Sequence, residues 1–443
     1  MGKKIIVAGG GHGGIAAGAI LSRNGYDVTV YEKNKREDMG YDWTDIFDRK
    51  GLFAVGMDMP AEDKYKLKND MTFYSPSMKT PLRQHVPEDQ LEIQMERKDI
   101  YNHIISYAET CGVKFEYENA VLQPVMLGNR VAGVKTEKDG VVYADMVIDA
   151  AGLNSPVRRN LPANLGVQNN ISEYEQFYVY RAFYNKAAEE TSDDKFKVCL
   201  FHQNYMGIYW VASEEEHTDV LIGRFTPIDM NDVNEALEYL RSFNPSLGTE
   251  LVRGGQFVNI SVRQPLGVMV ADGYAAIGDS AFMPVPIIGS GIANCLKAAE
   301  ILAYTIINDK TNSYSAEVLW KYQRGFYKKL GNGLAPLACV KLMLTRLESE
   351  DIDYIFDSGI LTADDMTIGA DDTSLASLFS GIKPDDIKQK LTGVYKNPIV
   401  MKKVLRMIKE LGAATAVVSA MPKIYNNKAV LVWVKQYNNC FKR

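Results

Sequence analysis

The sequence predicts an α/β protein: a Rossmann-like nucleotide-binding domain, an antiparallel β-sheet domain inserted into it, and a helical C-terminal region. Three observations carry this. A short apolar run enters Gly9-x-Gly11-x-x-Gly14 and is followed by an alanine-rich amphipathic segment and a second apolar run ending at Glu32. Residues 173–262 hold runs rich in aromatic and β-branched residues, the composition of strands. From Ser315 onward the pattern is mostly helical. The expected domains are 1–165 with 263–345, then 166–262, then 346–443.

Strand, tight turn, helix and strand, with an acid about twenty residues beyond the loop, is the spacing of a dinucleotide-binding βαβ unit. Gly9 makes the turn, Gly11 lets the backbone approach a pyrophosphate, and Gly14 lets the helix, expected over 15–24, pack close to the strand. The helix N-terminus turns free N–H groups toward phosphates. Glu32, with Lys33 beside it, stands where ribose hydroxyls would lie. A polar, irregular stretch is expected over 40–45, then a helix over 100–111 entered through Glu96-Arg97, a strand at 114–117 and a meander of short strands over 121–148. That meander ends in Asp149-Ala150-Ala151-Gly152. In the inserted block, strands are expected at 176–184, 196–203, 207–213 and 219–225, with one helix near 233–243. The first domain resumes with a buried strand, 274–279, that ends at Asp279. Gly289-Ser290-Gly291 then opens a helix over 292–307.

Composition narrows the function. The chain has 443 residues, room for two or three domains, and its 46% hydrophobic and 24% charged content is that of an ordinary globular protein. A net charge of −5 provides no basic field for nucleic acid. No apolar run reaches the roughly 18 residues of a membrane span, and no secretory leader is expected, so the expected location is cytoplasmic. Five scattered cysteines and five histidines without metal-ligand spacing argue against disulfides and a metal site. The C-x₄-C of disulfide reductases is absent around residues 38–50, and no second Gly-rich βαβ unit appears for a separate NADPH domain. Residues 396–443 are basic, with Glu410 the only acid. That tail could dock peripherally on an anionic membrane, although a helix packed on the body with solvated lysines is the plainer reading.

Three distant pieces fit one pattern: the Gly9–Gly14 loop with Glu32, the strand running into Gly152, and Gly278-Asp279-Ser280-Ala281 followed by Pro286 and Gly289-Ser290-Gly291-Ile292. Together they resemble FAD-dependent proteins of the p-hydroxybenzoate hydroxylase-type fold. Within that group the chain looks most like the geranylgeranyl reductase family, whose G-Y-x-W-x-F-P substrate motif is similar to Gly207-Ile208-Tyr209-Trp210-Val211. The resemblance implies FAD, with Gly9, Gly11, Gly14, Glu32, Lys33, Arg97, Gly152, Asp279, Pro286, Gly289, Gly291 and Ile292 as cofactor residues. Asp279 would hold ribityl hydroxyls, and the helix opening at Ile292 would face the flavin edge that becomes negative on reduction. His202, Tyr209 and Trp210 are the catalytic candidates, His202 as a proton donor, with Tyr41, Trp43 and Tyr205 as further substrate contacts.

The departures matter too. The family's Asp-Gly has become Ala151-Gly152, which counts against direct use of NAD(P)H and keeps a ferredoxin-like donor protein in view. The histidine of the hydroxylases' G-D-A-A-H is Phe282, and the motif's Phe-Pro is Ala212-Ser213. The resulting expectation is an FAD-dependent reductase of carbon–carbon double bonds in a small apolar or isoprenoid-like substrate. The alternatives are a flavin-dependent monooxygenase of a small aromatic, or a flavin-binding electron carrier.

Overall fold

The computed structural model describes residues 3–68, 70–190, 194–201, 205–366 and 384–442. At its centre is a six-stranded sheet in the order Val270–Ala271, Tyr274–Ala276, Met146–Asp149, Lys4–Ala8, Asp27–Tyr31, Lys114–Glu116. All neighbours are parallel except the antiparallel pair Val270–Ala271 and Tyr274–Ala276. Ile5, Ile6, Val7 and Ala8 are fully buried, as a strand covered on both faces requires. On one face lies helix His12–Arg23, packed against helices Arg97–Thr110 and Ile292–Ile307. Its residues 13–21 are all buried, and Gly25 in the left-handed region turns the chain into the second strand. The meander Val121–Leu127, Arg130–Thr136, Gly140–Tyr143 pairs on its own as a three-stranded sheet.

The second large sheet has seven strands in the order Leu247–Ser261, Gln176–Lys186, His217–Arg224, Gly207–Ser213, Phe196–Leu200, Thr72–Tyr74, Pro81–Arg83. Its last two strands come from outside 166–262 and carry too few apolar residues to stand out in the sequence. One face packs on helix Met230–Phe243 through Val233, Ala236, Leu237 and Leu240. The other face looks toward the nucleotide-binding sheet. The stretch expected to be irregular at 40–45 runs into strand Thr44–Phe47, which pairs with Ile93–Glu96. The strand expected to reach Asp279 stops at Ala276, and Gly278–Ala281 is a 3₁₀ turn instead.

After residue 315 the described chain is helical: Ala316–Phe326, Asn332–Leu344, Ser349–Asp357, Ala363–Met366, Pro384–Lys396, Pro398–Ser419 and Asn427–Asn439. Helix Pro398–Ser419 packs along Asn332–Leu344. The last helix is fastened to the nucleotide-binding domain, where the Tyr437 hydroxyl donates to the Pro265 carbonyl at 2.8 Å, and to helix Pro398–Ser419, where Trp433 Nε1 donates to the Val417 carbonyl at 2.7 Å. No helix among the described residues is long and apolar enough to cross a membrane.

Candidate active site

The glycine loop works mainly by close packing. Gly9 has φ +84°, and a Cβ there would stand 2.5 Å from the Ala151 Cα. A Cβ on Gly11 would lie 2.6 Å from the Ala150 carbonyl oxygen, and one on Gly14 would lie 2.4 Å from the Ala150 Cβ and 2.7 Å from Val7 Cγ1. The turn Ala150-Ala151-Gly152 therefore presses directly on the loop, which explains small residues in both segments. Helix His12–Arg23 starts from Gly11 with no side-chain cap and no acid in its first turn, so its N–H groups stay free. The carboxylate of Glu32 accepts from Gly10 N at 2.7 Å through one oxygen and from Asn34 N at 2.9 Å through the other. Both oxygens keep a lone pair for ribose hydroxyls.

From this loop a cavity of about 1730 Å³ runs between the two large sheets. Gly9, Gly11, Glu32, Lys33, Arg97, Gly152, Asp279, Gly289, Gly291 and Ile292 all line it. Gly14 does not; its place is the helix–strand contact. Pro286, expected at the cofactor, is buried within the turn and is not on the cavity wall, where Val285, Ile287 and Ile288 stand instead. Ser280 ties the distant motifs together: Gly152 N donates to its hydroxyl at 2.8 Å, and that hydroxyl lies 3.2 Å from the Gly152 carbonyl. Asp149 is fully buried and accepts from Ser155 Oγ at 2.6 Å and from the Tyr274 hydroxyl at 2.9 Å, so it serves the turn.

Asp279 is an acid the fold leaves open. Its side chain is exposed to the cavity and makes no hydrogen bond among the described residues. Enclosure by protein raises its carboxyl above the usual range, against the pull of Arg97. A carboxylate left without partners on this wall suits a ligand that brings hydroxyl donors. Nearby, helix Ile292–Ile307 begins at Gly291, again with no side-chain cap and no acid in the first turn. Two free helix N-termini thus reach one cavity, where a dinucleotide with anionic or electron-rich groups at both ends fits.

Arg97 bridges the expected and the missed residues. It forms a bidentate pair with Asp45, Nε to Oδ2 at 2.5 Å and Nη2 to Oδ1 at 2.8 Å, and lies 5.0 Å from the Tyr41 ring centroid and 5.1 Å from that of Trp43. Asp45 holds the Nε–Nη2 edge and fixes the guanidinium, which stands on the cavity wall as a cation with Nη1 left for a ligand. His12, stacked on Tyr101 at 4.3 Å, is driven down to about 3 by burial and by Arg97, so its imidazole is neutral. The sequence reading passed over Arg181. It is buried on the cavity wall, paired with Asp219 through Nε at 3.0 Å, bonded to Thr44 Oγ1 at 2.6 Å, and 5.0 Å from the Trp210 ring centroid. Its presence in an aromatic and β-branched strand was the available signal, because a buried arginine must bring its partners.

Trp210 faces the cavity, whereas Tyr209 does not. Neighbouring strand residues point to opposite faces. Tyr209 is buried toward helix Met230–Phe243, where its hydroxyl accepts from Arg224 Nε at 2.7 Å. The pairing of Tyr209 with Trp210 as catalytic neighbours is therefore corrected. Tyr41 and Trp43 line the cavity, while Tyr205 packs over Arg224 at 3.5 Å, off the cavity wall. His202 lies outside the described residues.

Beyond Trp210, Phe177 and Leu221 the cavity becomes apolar and continues between the C-terminal helices. There Leu337, Val340, Met343, Leu347, Ile355 and Phe356 form its wall. This wall is continuous with a buried cluster that joins Leu82 and Phe201 of the seven-stranded sheet's end to Ile352, Phe356 and Val400. Sequence reasoning assigned these helices no part in the site.

Comparison with known proteins bears on the fold and the family. Residues 7–59 match the family model described as an NAD(P)-binding Rossmann-like domain. The chain is 24% identical to the digeranylgeranylglycerophospholipid reductase of Sulfolobus acidocaldarius over 82% of each chain. It is also 24% identical to that of Haloferax volcanii, over 86% of this chain and 95% of the other. On these relatives the chain resembles the geranylgeranyl reductase family of FAD-dependent oxidoreductases. Among solved structures, a geranylgeranyl bacteriochlorophyll reductase-like protein from Thermoplasma acidophilum shares the fold. It has a TM-score of 0.72 at 19% identity and covers 88% of this chain and 99% of that one. A myxobacterial FAD-dependent halogenase is more distant, with a TM-score of 0.58 at 17% identity over 74% of this chain and 80% of that one. This likeness and the Rossmann-like domain support a flavin cofactor, and Glu32, Asp279 and the two helix starts line the cavity's polar half.

Proposed function

We propose that the protein reduces carbon–carbon double bonds in an apolar, isoprenoid-like chain. The observation that supports this most strongly is the cavity's second half. A site of about 1730 Å³ exceeds the roughly 300–1,000 Å³ that suits a drug-sized ligand. Its extension past Trp210 is walled mostly by aliphatic and aromatic side chains from several C-terminal helices. A small aromatic substrate would leave that apolar length unfilled, whereas an extended prenyl chain would bury it. The curated relatives named above carry a prenylated glycerophospholipid in their names, which agrees with a long chain as substrate.

When bound, the flavin supplies two-electron reducing chemistry, and the protein's own residues position and protect it. The N-terminus of helix His12–Arg23 and Glu32 would hold its nucleotide half, Asp279 its ribityl hydroxyls, and the start of helix Ile292–Ile307 the ring edge that gains charge. Trp43, Trp210 and the wall beyond them exclude water and orient the chain. Tyr41 carries its proton at neutral pH, although burial raises its hydroxyl above the normal range and makes it a weaker acid. It stands on the cavity wall as the proton donor we assign. Electrons would come from a ferredoxin-like protein or from NAD(P)H, with Ala151 favouring the protein donor.

The test is anaerobic mixing of the dithionite-reduced protein with a geranylgeranyl alkene, set against mixing with oxygen. Fast flavin reoxidation by the alkene and slow reoxidation by oxygen is the expected result. The reverse order would establish the oxygenase reading instead. Mixing the oxidised protein with NADH, NADPH or reduced ferredoxin identifies the reductant by the bleaching of the flavin.

A further inference from the structure

The apolar end of the cavity reaches the protein surface, and the helices that form its wall carry a second, outward face. Leu391 of helix Pro384–Lys396 and Ile408 of helix Pro398–Ser419 both line the cavity, yet they are 51% and 55% exposed. Their neighbours Tyr395, Leu405 and Lys409 are exposed and lie off the cavity wall, so here the wall meets the outer surface and forms a mouth. Around it, the outward arc of Pro398–Ser419 presents Ile399 at 64% and Leu405 at 57% exposure, interleaved with exposed Lys402, Arg406 and Lys409. Tyr395, at 72% exposure, and Lys396 extend the same mixture onto the end of the preceding helix. Spacing of 399, 402, 405–406 and 409 along a helix puts these side chains on one side.

The charge on this face is unusual for the molecule. The chain is net acidic, but Glu410 is its only acid after Lys396, and that carboxylate is taken by Arg346 at 2.7 Å and Arg406 at 2.9 Å. Lys396, Lys402 and Lys409 form no ion pair among the described residues. Lys403, one position round the helix, turns inward to Asp351. A helix with large apolar side chains and unpaired lysines on the same outward arc is suited to an interface with both hydrocarbon and negative charge.

We propose that this face seats on an anionic phospholipid bilayer, with the mouth between Leu391 and Ile408 turned to the lipid. An apolar chain then passes from the bilayer into the cavity without crossing water. The entry route rests on the reductase reading above; the docking surface does not. With no spanning helix among the described residues, the contact is peripheral, and the apolar side chains insert while the lysines meet lipid phosphates.

The experiment is partition of the full-length, flavin-loaded protein onto vesicles of phosphatidylcholine alone and of equal parts phosphatidylcholine and phosphatidylglycerol. Binding should favour the anionic vesicles and fall with salt. Lys402→Gln with Lys409→Gln should weaken it about 30-fold, taking each lysine near such a surface at about 1 kcal/mol. Leu405→Asn should weaken it further, while flavin content and circular dichroism stay unchanged. A tryptophan at the mouth, Ile408→Trp, should shift to the blue and be quenched by brominated lipid. Equal partition onto both vesicle types, or none, overturns the proposal, as does binding untouched by the double lysine variant. Binding without quenching of Ile408→Trp overturns the placement of the mouth. A dimer abolished by Leu405→Asn would instead assign the face to a second copy of the chain. No alkene enters these measurements, so loss of vesicle binding with intact alkene reduction refutes docking alone, and the opposite outcome refutes the reductase reading alone.

Discussion

The two ends of the cavity are built on different principles. The nucleotide end is made of backbone: a loop whose glycines allow contacts of a few ångströms with Ala150-Ala151, a helix start without a cap, and one acid on each of two strands' continuations. The apolar end is made of side-chain bulk from helices more than 300 residues away in the chain. Backbone devices tolerate few residue types, so they leave a readable motif. An apolar wall can be assembled from any mixture of Leu, Ile, Val, Met and Phe, so it leaves none. One end should consequently be fragile to the smallest substitution, and the other should yield only to a change of polarity.

Gly9→Ala should have the largest effect. Its left-handed backbone and the 2.5 Å approach to Ala151 leave nowhere for a methyl group to go. A stability loss of about 3 kcal/mol is expected in denaturant titration, with loss of bound flavin. If Gly9→Ala were neutral, the contrast between the ends would collapse. Val340→Asp, at the other end, should leave flavin content intact but raise KM for a prenyl alkene roughly 100-fold, because the chain must displace or bury a charge. Val340→Leu should change KM little.

Asp279→Asn should weaken flavin binding about 10- to 100-fold in equilibrium dialysis, the loss of charge-assisted hydrogen bonds. Its effect on the flavin-free protein runs the other way. The folded carboxyl has a raised pKa, so it holds its proton to higher pH than the unfolded chain does. Stability of the flavin-free protein therefore falls as pH rises from the unfolded to the folded pKa, and Asp279→Asn should flatten that fall and raise the melting temperature at neutral pH. Smallest of all, Tyr209→Phe should leave alkene turnover unchanged while costing about 1–2 kcal/mol of stability, since it strips the buried Arg224 of an acceptor. Trp210→Ala, one residue along the strand, should impair turnover instead.

How much was legible in the sequence follows the same division. The parallel sheet, the helix at Ile292–Ile307 and the strands of the inserted block announce themselves through apolar runs and glycine stops. Asp279 could be picked out because it joins a strand, a turn and a helix start in one short segment. Tyr209 was misplaced because the motif names adjacent residues, while a strand sends them to opposite faces. Pro286 was misplaced because it shapes the turn from inside. Strands Thr72–Tyr74 and Pro81–Arg83 are too short for periodicity to show, and they gain their structure from pairing with the inserted sheet. Arg181 was hidden because its partners, Thr44 and Asp219, are distant in sequence. The C-terminal helices were legible as helices, but their inward faces read as ordinary core.

The most direct test of a single cavity with a flavin at one end and an apolar chain at the other is the dependence of flavin reoxidation on chain length. The reduced protein is mixed anaerobically with prenyl alcohols of one to four isoprene units. At about 0.8 kcal/mol per buried CH₂ group a five-carbon unit is worth up to about 4 kcal/mol, so each added unit should lower KM between tenfold and about a thousandfold until the wall formed by Val340, Met343 and Phe356 is filled. A KM that is flat with length, or lowest for the shortest alcohol, would contradict the assignment.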